Sequence, residues 1–325
     1  MRNRGLSARP LPEGDRDAWD ALAARHGCFF DSLRWADLFG PSLLRLGIYD
    51  SGHHLRGGFC VWEERRYGLR LLRNPPFTPQ VGPFYEPQAV NAAARTDEQR
   101  SMVEAMAEYV GSSHAAVVSL GLSKSITDCL PFYWRGCKVV PRYTYQIDLT
   151  QDEGVLLAAL SKERRNDFRK AQRDALEVEA VTEMGAMRGL MIQTFKRQKI
   201  TVSLKAVDTI FSSVPPGEGS YCFLTCAGGR PVSGAYVVHD SCTAYYLMGG
   251  YADGAHHGAG ALAMWHAILK AKELGLKVFD FEGSVIPPIE RYFRGFGGRL
   301  TPYFTVNRAW LPVEMALKLV RRERF

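Results

Sequence analysis

What this chain lacks narrows its chemistry first. It has no apolar run near the roughly 18 to 20 residues that would cross a bilayer. Its cysteines, at 28, 60, 129, 137, 222, 226 and 242, are odd in number and include no Cys-x-x-Cys pair. That excludes the usual zinc spacings, so no metal is expected, and it argues for reduced, buried thiols. No Gly-x-Ser-x-Gly elbow and no recognisable Cys-His pairing is present, so nothing points to a covalent intermediate. The opening Met1-Arg2-Asn3-Arg4-Gly5-Leu6-Ser7-Ala8-Arg9-Pro10 is basic and carries no apolar core of a signal peptide. A soluble, cytoplasmic protein with no transmembrane segment is the expectation. Charge of one sign is not in large excess: 41 Lys and Arg against 34 Asp and Glu leave a net charge of +7. Such a balance favours phosphate-bearing partners without requiring one.

What is present is ample apolar material. With 325 residues, 46% of them hydrophobic and 11% aromatic, the chain suits two domains or one large one and is not disordered. Asp15 to His26 reads as a helix stopped by Gly27, and 43–49 and 57–62 as strands around the Asp50-Ser51-Gly52 turn. Pro75 to Pro87 cannot be a regular element. Its Phe77, Phe84 and Tyr85 suit either a loop lining a cleft or a structural loop. A helix over 98–112, a strand over 115–120 and a strand over 143–149 follow. From Asp152 one helix is expected to continue to Arg173. Beyond it come a strand at 176–181, two helices across 184–212, and a meander of strands at 221–226, 232–238 and 243–248. Helix 261–274, strand 277–282, helix 288–294, strand 301–306 and an amphipathic basic helix over 312–321 complete the pattern. An antiparallel meander followed by helix, strand, helix, strand is mixed α/β.

Three constellations stand out. Gly254-Ala255-His256-His257-Gly258-Ala259-Gly260-Ala261 opens the helix containing Trp265. Such a turn is either a simple start to a helix or an anion site, with Gly258 and Gly260 exposing backbone N–H groups. On a helix through 162–173, Lys162, Arg165, Arg169 and Arg173 fall within an arc of about 80°, opposite Leu156, Leu157, Leu160, Phe168 and Ala171. That stripe is either a solvated face or a phosphate-binding one. Finally, Glu282 ends the strand Lys277-Val278-Phe279-Asp280-Phe281 and precedes a helix bearing Arg291 and Arg294. Ligands of open α/β sheets bind at such strand ends, although a plain ion pair of Glu282 with Arg291 or Arg294 is as good a reading.

These stretches resemble a known family. Phe279-Asp280-Phe281-Glu282-Gly283 with Glu290-Arg291-Tyr292-Phe293-Arg294-Gly295-Phe296-Gly297-Gly298 is similar to the C-terminal signature of the Fem-like branch of the GNAT acyltransferase superfamily. In the same order come Arg73-Asn74-Pro75-Pro76-Phe77-Thr78-Pro79, Pro141-Arg142-Tyr143-Thr144-Tyr145, the segment from Leu160 to Ala171, and Met248-Gly249-Gly250-Tyr251. The resemblance implies an α/β (α+β) fold of two tandem GNAT-like domains, with mixed central sheets flanked by helices. The first is expected over 1–145 with 309–325 and the second, carrying the active site, over 146–308.

As to activity, the resemblance implies an N-acyltransferase that moves an aminoacyl group from aminoacyl-tRNA to an amine of a small-molecule or cell-envelope acceptor, by direct attack. Glu282 and Arg294 are the expected catalytic residues. Glu282 would orient or deprotonate the amine, and Arg294, where relatives often carry Lys, would stabilise charge. Arg165, Arg169, Gly258, Gly260, Arg291 and Tyr251 are the expected donor- and substrate-binding residues, with tRNA contact through the basic face. No tightly bound cofactor is expected. Relatives that use acyl-CoA place Arg or Gln where this chain has Ala255, which counts against CoA. Two alternatives stay open: the same reaction on an amino sugar or similar amine with acyl-CoA, and a non-catalytic double-GNAT scaffold. The scaffold predicts that Glu282 and Arg294 face solvent or core.

Overall fold

The computed structural model describes residues 5–283 and 285–320. In chain order its first half holds β1 (Ser7–Pro10), α1 (Arg16–His26), α2 (Leu33–Ala36), β2 (Leu43–Tyr49), β3 (Leu55–Arg66), β4 (Leu69–Arg73), β5 (Phe84–Tyr85), α3 (Ala92–Ser112), β6 (Val117–Gly121), α4 (Leu130–Trp134) and β7 (Lys138–Asp148). Then follow α5 (Glu153–Ala159), α6 (Lys162–Arg173), β8 (Glu177–Ala180), α7 (Gly185–Arg197), α8 (Leu204–Ser213), β9 (Ser220–Ala227), β10 (Arg230–His239), β11 (Thr243–Tyr251), α9 (Ala259–Glu273), β12 (Val278–Asp280), α10 (Pro287–Arg294), β13 (Arg299–Ala309) and α11 (Leu311–Val320). Two compact units result. One runs to Arg142 and resumes at Pro302; the other is Tyr143–Thr301. The chain changes unit inside β7 and again inside β13, against boundaries of 145 and 308 read from the sequence.

In the first unit the strands lie in the order β1, β2, β3, β4, β6, β13, with β5 on β3. All neighbours are antiparallel except β4 and β6, whose register matches Arg73 to Ser119. Trp19 of α1 is fully buried and lies so close to β3 that a Cβ at Gly58 would sit 2.3 Å from its ring. Only glycine allows that approach. Phe84 meets the same ring edge-on at 4.9 Å, so it belongs to the core and not to a cleft wall.

In the second unit the order is β8, β9, β10, β11, β12, β7, again antiparallel except for β11 and β12. Strand order and the single parallel pair therefore repeat between the two units. α9 is buried on nearly every side, through Ala261, Leu262, Met264, Ala267 and Ile268, which makes it a core helix. One expectation fails here. The helix predicted from Asp152 to Arg173 is two helices, because Leu160 is extended (ψ 141°) and Ser161 caps α6 by accepting from the Arg164 N–H at 3.2 Å. A serine immediately before the first turn is a start signal, and it outweighs continuity of the apolar pattern.

Candidate active site

Strands β11 and β12 stay paired for only three residues, Thr243 with Val278 to Tyr245 with Asp280, after which β11 runs on to Tyr251. Where they part lies a cavity of about 510 Å³. Its floor is β10 and β11, and its sides are the last turn of α7, the first turn of α9, and Tyr292 and Phe293 of α10. Across the floor the register steps from Tyr236 opposite Met248 to Val237 opposite Tyr246. Leu247 is thus a β-bulge, and it lines the cavity outside the ladder. Helix α7 can sit on this sheet only because position 250 is glycine: a Cβ there would be 2.5 Å from Leu190 Cβ and 2.8 Å from the Met191 backbone nitrogen.

Two arginines line this cavity: Arg197, part-exposed and paired with Asp253, and the buried Arg164, the residue that the sequence pattern left out. The Arg164 side chain is 9% exposed, sits 4.8 Å over the Tyr292 ring, and pairs with Asp167 at 3.1 Å and Glu163 at 2.8 Å. Its Nε is buried without a hydrogen-bond partner. Arg164, Phe168 and Ala171 are all buried, at spacings of four and three, so the arginine occupies the apolar face of α6. Burial pushes the Asp167 carboxyl up, and the Arg164 charge opposes that shift. Burial also raises the phenols of Tyr246 and Tyr292, so both remain protonated and able to donate. Among the described residues, no three His, Cys, Asp or Glu side chains gather as a metal site.

The expected residues are placed as follows. Gly260 and Tyr251 line the cavity. Gly258 does not; its Cα packs on α6, where a Cβ would meet the Asp167 carbonyl oxygen at 2.4 Å. The turn before α9 is bonded to itself: the Gly258 N–H donates to His256 Nδ1 (3.0 Å), the Ala259 N–H to the His256 carbonyl (2.9 Å), and the Tyr251 hydroxyl reaches the carbonyls of 255 and 256. His256 Nε2 is 3.0 Å from Asp174. Arg165 donates to the carbonyls of Ala158 and Leu160, capping the end of α5, and Arg169 is exposed. Neither lines the cavity.

Glu282 and Arg294 do not pair with each other. Arg294 is 60% exposed and bonds Glu290 at 3.2 Å, and Glu290 also accepts from the Tyr145 hydroxyl at 2.6 Å. Arg291 is exposed. Glu282 is half-buried and left-handed, with φ 59°, beside Gly283 at φ 75°. A non-glycine residue held there costs of order 1 kcal/mol. The turn is held by Asp280, missed in the sequence, whose fully buried carboxylate accepts from Thr144 (2.7 Å), Gln146 (2.8 Å) and the Glu282 N–H (2.8 Å). The strand-end Phe-Asp-Phe, which buries a carboxylate between two core rings, was the available signal.

Residues 162–294, which frame this cavity, match the family described as "Acetyltransferase (GNAT) domain". Among solved structures, FemX matches with a TM-score of 0.66 at 12% identity, covering 97% of this chain and 99% of that one. The chain has a Fem-like fold, and its residues 162–294 match a GNAT acetyltransferase domain. Two further matches agree. L-PGS from Bacillus licheniformis has a TM-score of 0.57 at 10% identity, over 97% of this chain and 98% of that one. A tandem GNAT protein from the clavulanic acid biosynthesis pathway has a TM-score of 0.52 at 11% identity, over 93% and 98%. No curated protein sequence matches this chain. Among its described residues, no helix is long and apolar enough to cross a membrane.

Proposed function

We propose that this protein transfers an aminoacyl group from aminoacyl-tRNA to an amine of a small-molecule or cell-envelope acceptor, in the cavity where β11 and β12 part. The observation that carries the reading is a cavity open to a substrate, floored by a β-bulge and walled by one buried guanidinium. A neutral amine attacks the ester carbonyl directly, charge develops on the carbonyl oxygen, and the C–O ester bond then breaks, so that the amide forms and the tRNA's terminal ribose hydroxyl leaves with the proton lost by the amine. Donors aimed at that oxygen are the largest single aid to such a step. The protonated phenols of Tyr246 and Tyr292 and the backbone at the Leu247 bulge are the candidates. Arg164 takes over the anion-binding role expected of Arg165 and Arg169. Lys162 and Arg169 on the outer face of α6 are left for tRNA phosphates. Glu282 remains proposed as proton acceptor at the end of β12, whereas Arg294, solvated and paired with Glu290, is left at most a minor electrostatic role. Arg294 faces solvent, as a scaffold would also have it, but a scaffold gives no reason for the cavity, its glycines and its buried cation.

The self-bonded turn before α9 favours the tRNA ester over a CoA thioester. Two of its first N–H groups are already used by His256, and Asp167 and Asp174 place negative charge beside it. A pyrophosphate finds fewer free N–H groups at this helix start than an open glycine turn would offer. The acyl-CoA reading keeps one specific support, the match of 162–294 to an acetyltransferase domain. A donor screen separates them: charged tRNA pools against an acyl-CoA panel, scored by label transfer to amine acceptors. Transfer abolished by RNase is the expected result. Transfer that survives RNase and requires a CoA thioester would overturn the donor assignment.

A further inference from the structure

The first unit has a cavity of its own, of about 310 Å³, at the end of its parallel pair β4 and β6. Arg73 and Ser119 face each other across the register there, and Gly121, Thr305, Tyr303 and Arg142 complete the wall. Almost every neutral polar group in it is committed to the protein. Asn74 receives the Gly121 N–H (2.9 Å) and donates to the Thr78 carbonyl (2.9 Å). Thr78 Oγ1 receives the Trp35 indole N–H (2.9 Å), and Ser119 donates to Asn307 (2.8 Å). Thr305 donates to the Val140 carbonyl (3.3 Å).

Arg142 is the exception. It is 9% exposed, its Nη2 is buried without a hydrogen-bond partner, and among the described residues it forms no ion pair. A guanidinium cannot shed its proton, so its burial without an anion is costly. The second cation, Arg73, is bound to Glu64 and lies over the Trp62 ring, yet its Nε is also buried without a partner. Arg142 therefore adds uncompensated positive charge, and Arg73 Nε an unused donor, to a cavity whose neutral polar groups are largely satisfied. Guanidinium forks match planar and tetrahedral oxyanions.

We infer that this cavity binds the oxyanion group of a small molecule, a carboxylate or a phosphate, with Arg142 as its principal partner. Neither the acyl-transfer reading nor its donor enters the argument, so the two fail separately. The test is calorimetric titration of the whole protein with inorganic phosphate and, in a second arm, with acetate, at constant ionic strength set by chloride. Saturable binding of one or both is expected, and the tighter arm identifies the class. Arg142→Met removes the charge while keeping the bulk, so binding should weaken at least tenfold while the melting temperature without anion holds or rises. Arg142→Lys should retain measurable binding. The inference is overturned if the wild type binds neither probe saturably below about 10 mM, which lies well above ordinary specific affinities. It is also overturned if Arg142→Met binds as the wild type does, or if it lowers stability equally with and without anion. That last pattern belongs to a purely structural arginine.

Discussion

The two cavities have the same architectural origin and opposite chemistry. Each forms where the one parallel pair of its unit parts, β4 from β6 or β11 from β12, because neighbouring strands that diverge leave unfilled space between their ends. In the second unit the space is large, about 510 Å³, and is walled by tyrosines, two phenylalanines and glycines, with one buried arginine already paired to Asp167. In the first it is about 310 Å³ and polar, with a buried arginine paired to nothing among the described residues. An arginine with a carboxylate partner can stay in place with or without substrate. An arginine lacking one is stable only when something else supplies the anion. A repeated frame therefore does not imply a repeated activity, and the side chains at each splay decide.

The sharpest way to break this comparison is to remove the guanidinium on which each unit depends. Arg164→Ala should lower turnover by about 10² to 10³, in the range seen when one transition-state donor is lost. It should also destabilise the fold by roughly 1 to 3 kcal/mol, because Asp167 is left buried alone. Turnover per folded molecule, measured beside chemical denaturation, separates the two losses. Arg142→Met should leave turnover with a minimal acceptor unchanged, since the acyl-transfer cavity belongs to the second unit.

Next in size are the glycines that let each cavity form. Gly250→Ala would press a Cβ to 2.8 Å from the Met191 nitrogen, and Gly121→Ala would bring one to 2.2 Å from the Pro79 carbonyl oxygen. Both obstacles are backbone, so each variant should lose about 1 to 3 kcal/mol in urea melts. Gly250→Ala should also lose activity. Wild-type stability in either would mean that the close packing under that cavity is not required.

A smaller effect is expected from pH. Burial lowers the pKa of His266 in α9, beside Phe223. A histidine with a depressed folded pKa contributes stability that is present above its unfolded value, about 6.5, and is lost as pH falls below that value toward the folded one. His266→Phe should flatten melting temperature against pH in this window. A profile unchanged by the substitution would contradict it. Smallest of all should be Arg294→Ala. Its pair with Glu290 is largely solvated and worth at most about 1 kcal/mol. Turnover within a few-fold of wild type is the outcome the geometry favours. A fall of 10² or more would return Arg294 to the catalytic role that the resemblance implied.

Much of the frame was legible in the sequence, because strand and helix periodicities survive wherever one face is buried. The meander 221–248 and the helix around Trp265 are examples, each found within about three residues of its expected ends. β4 was missed because Leu69-Arg70-Leu71-Leu72-Arg73 is too short to show alternation before the prolines begin. Arg164 was missed for a different reason. Treating α5 and α6 as one helix drew attention to the outward stripe of Arg165, Arg169 and Arg173, and an arginine on the inward face contributes nothing to a stripe. The Asp280 network was hidden because Thr144, Gln146 and Asp280 are far apart in sequence, and only strand pairing brings them together. Local pattern records what faces water or core. It does not record which distant groups share a cavity.

The central claim is that acyl transfer takes place in the cavity floored by β10 and β11, and Gly260 allows a direct test. A Cβ added there would lie 3.3 Å from the Tyr292 hydroxyl, 3.6 Å from Ser233 Oγ and 3.7 Å from the Tyr251 ring, all cavity walls and none of them backbone. Gly260→Leu should therefore fill the cavity from within the first turn of α9, where leucine is a better helix former by about 0.5 to 1 kcal/mol. The measurement is aminoacyl transfer per folded molecule for Gly260→Leu against wild type. At least a hundredfold loss with an unchanged or raised melting temperature is the predicted result. A well-folded Gly260→Leu with wild-type transfer would contradict it and place the reaction elsewhere.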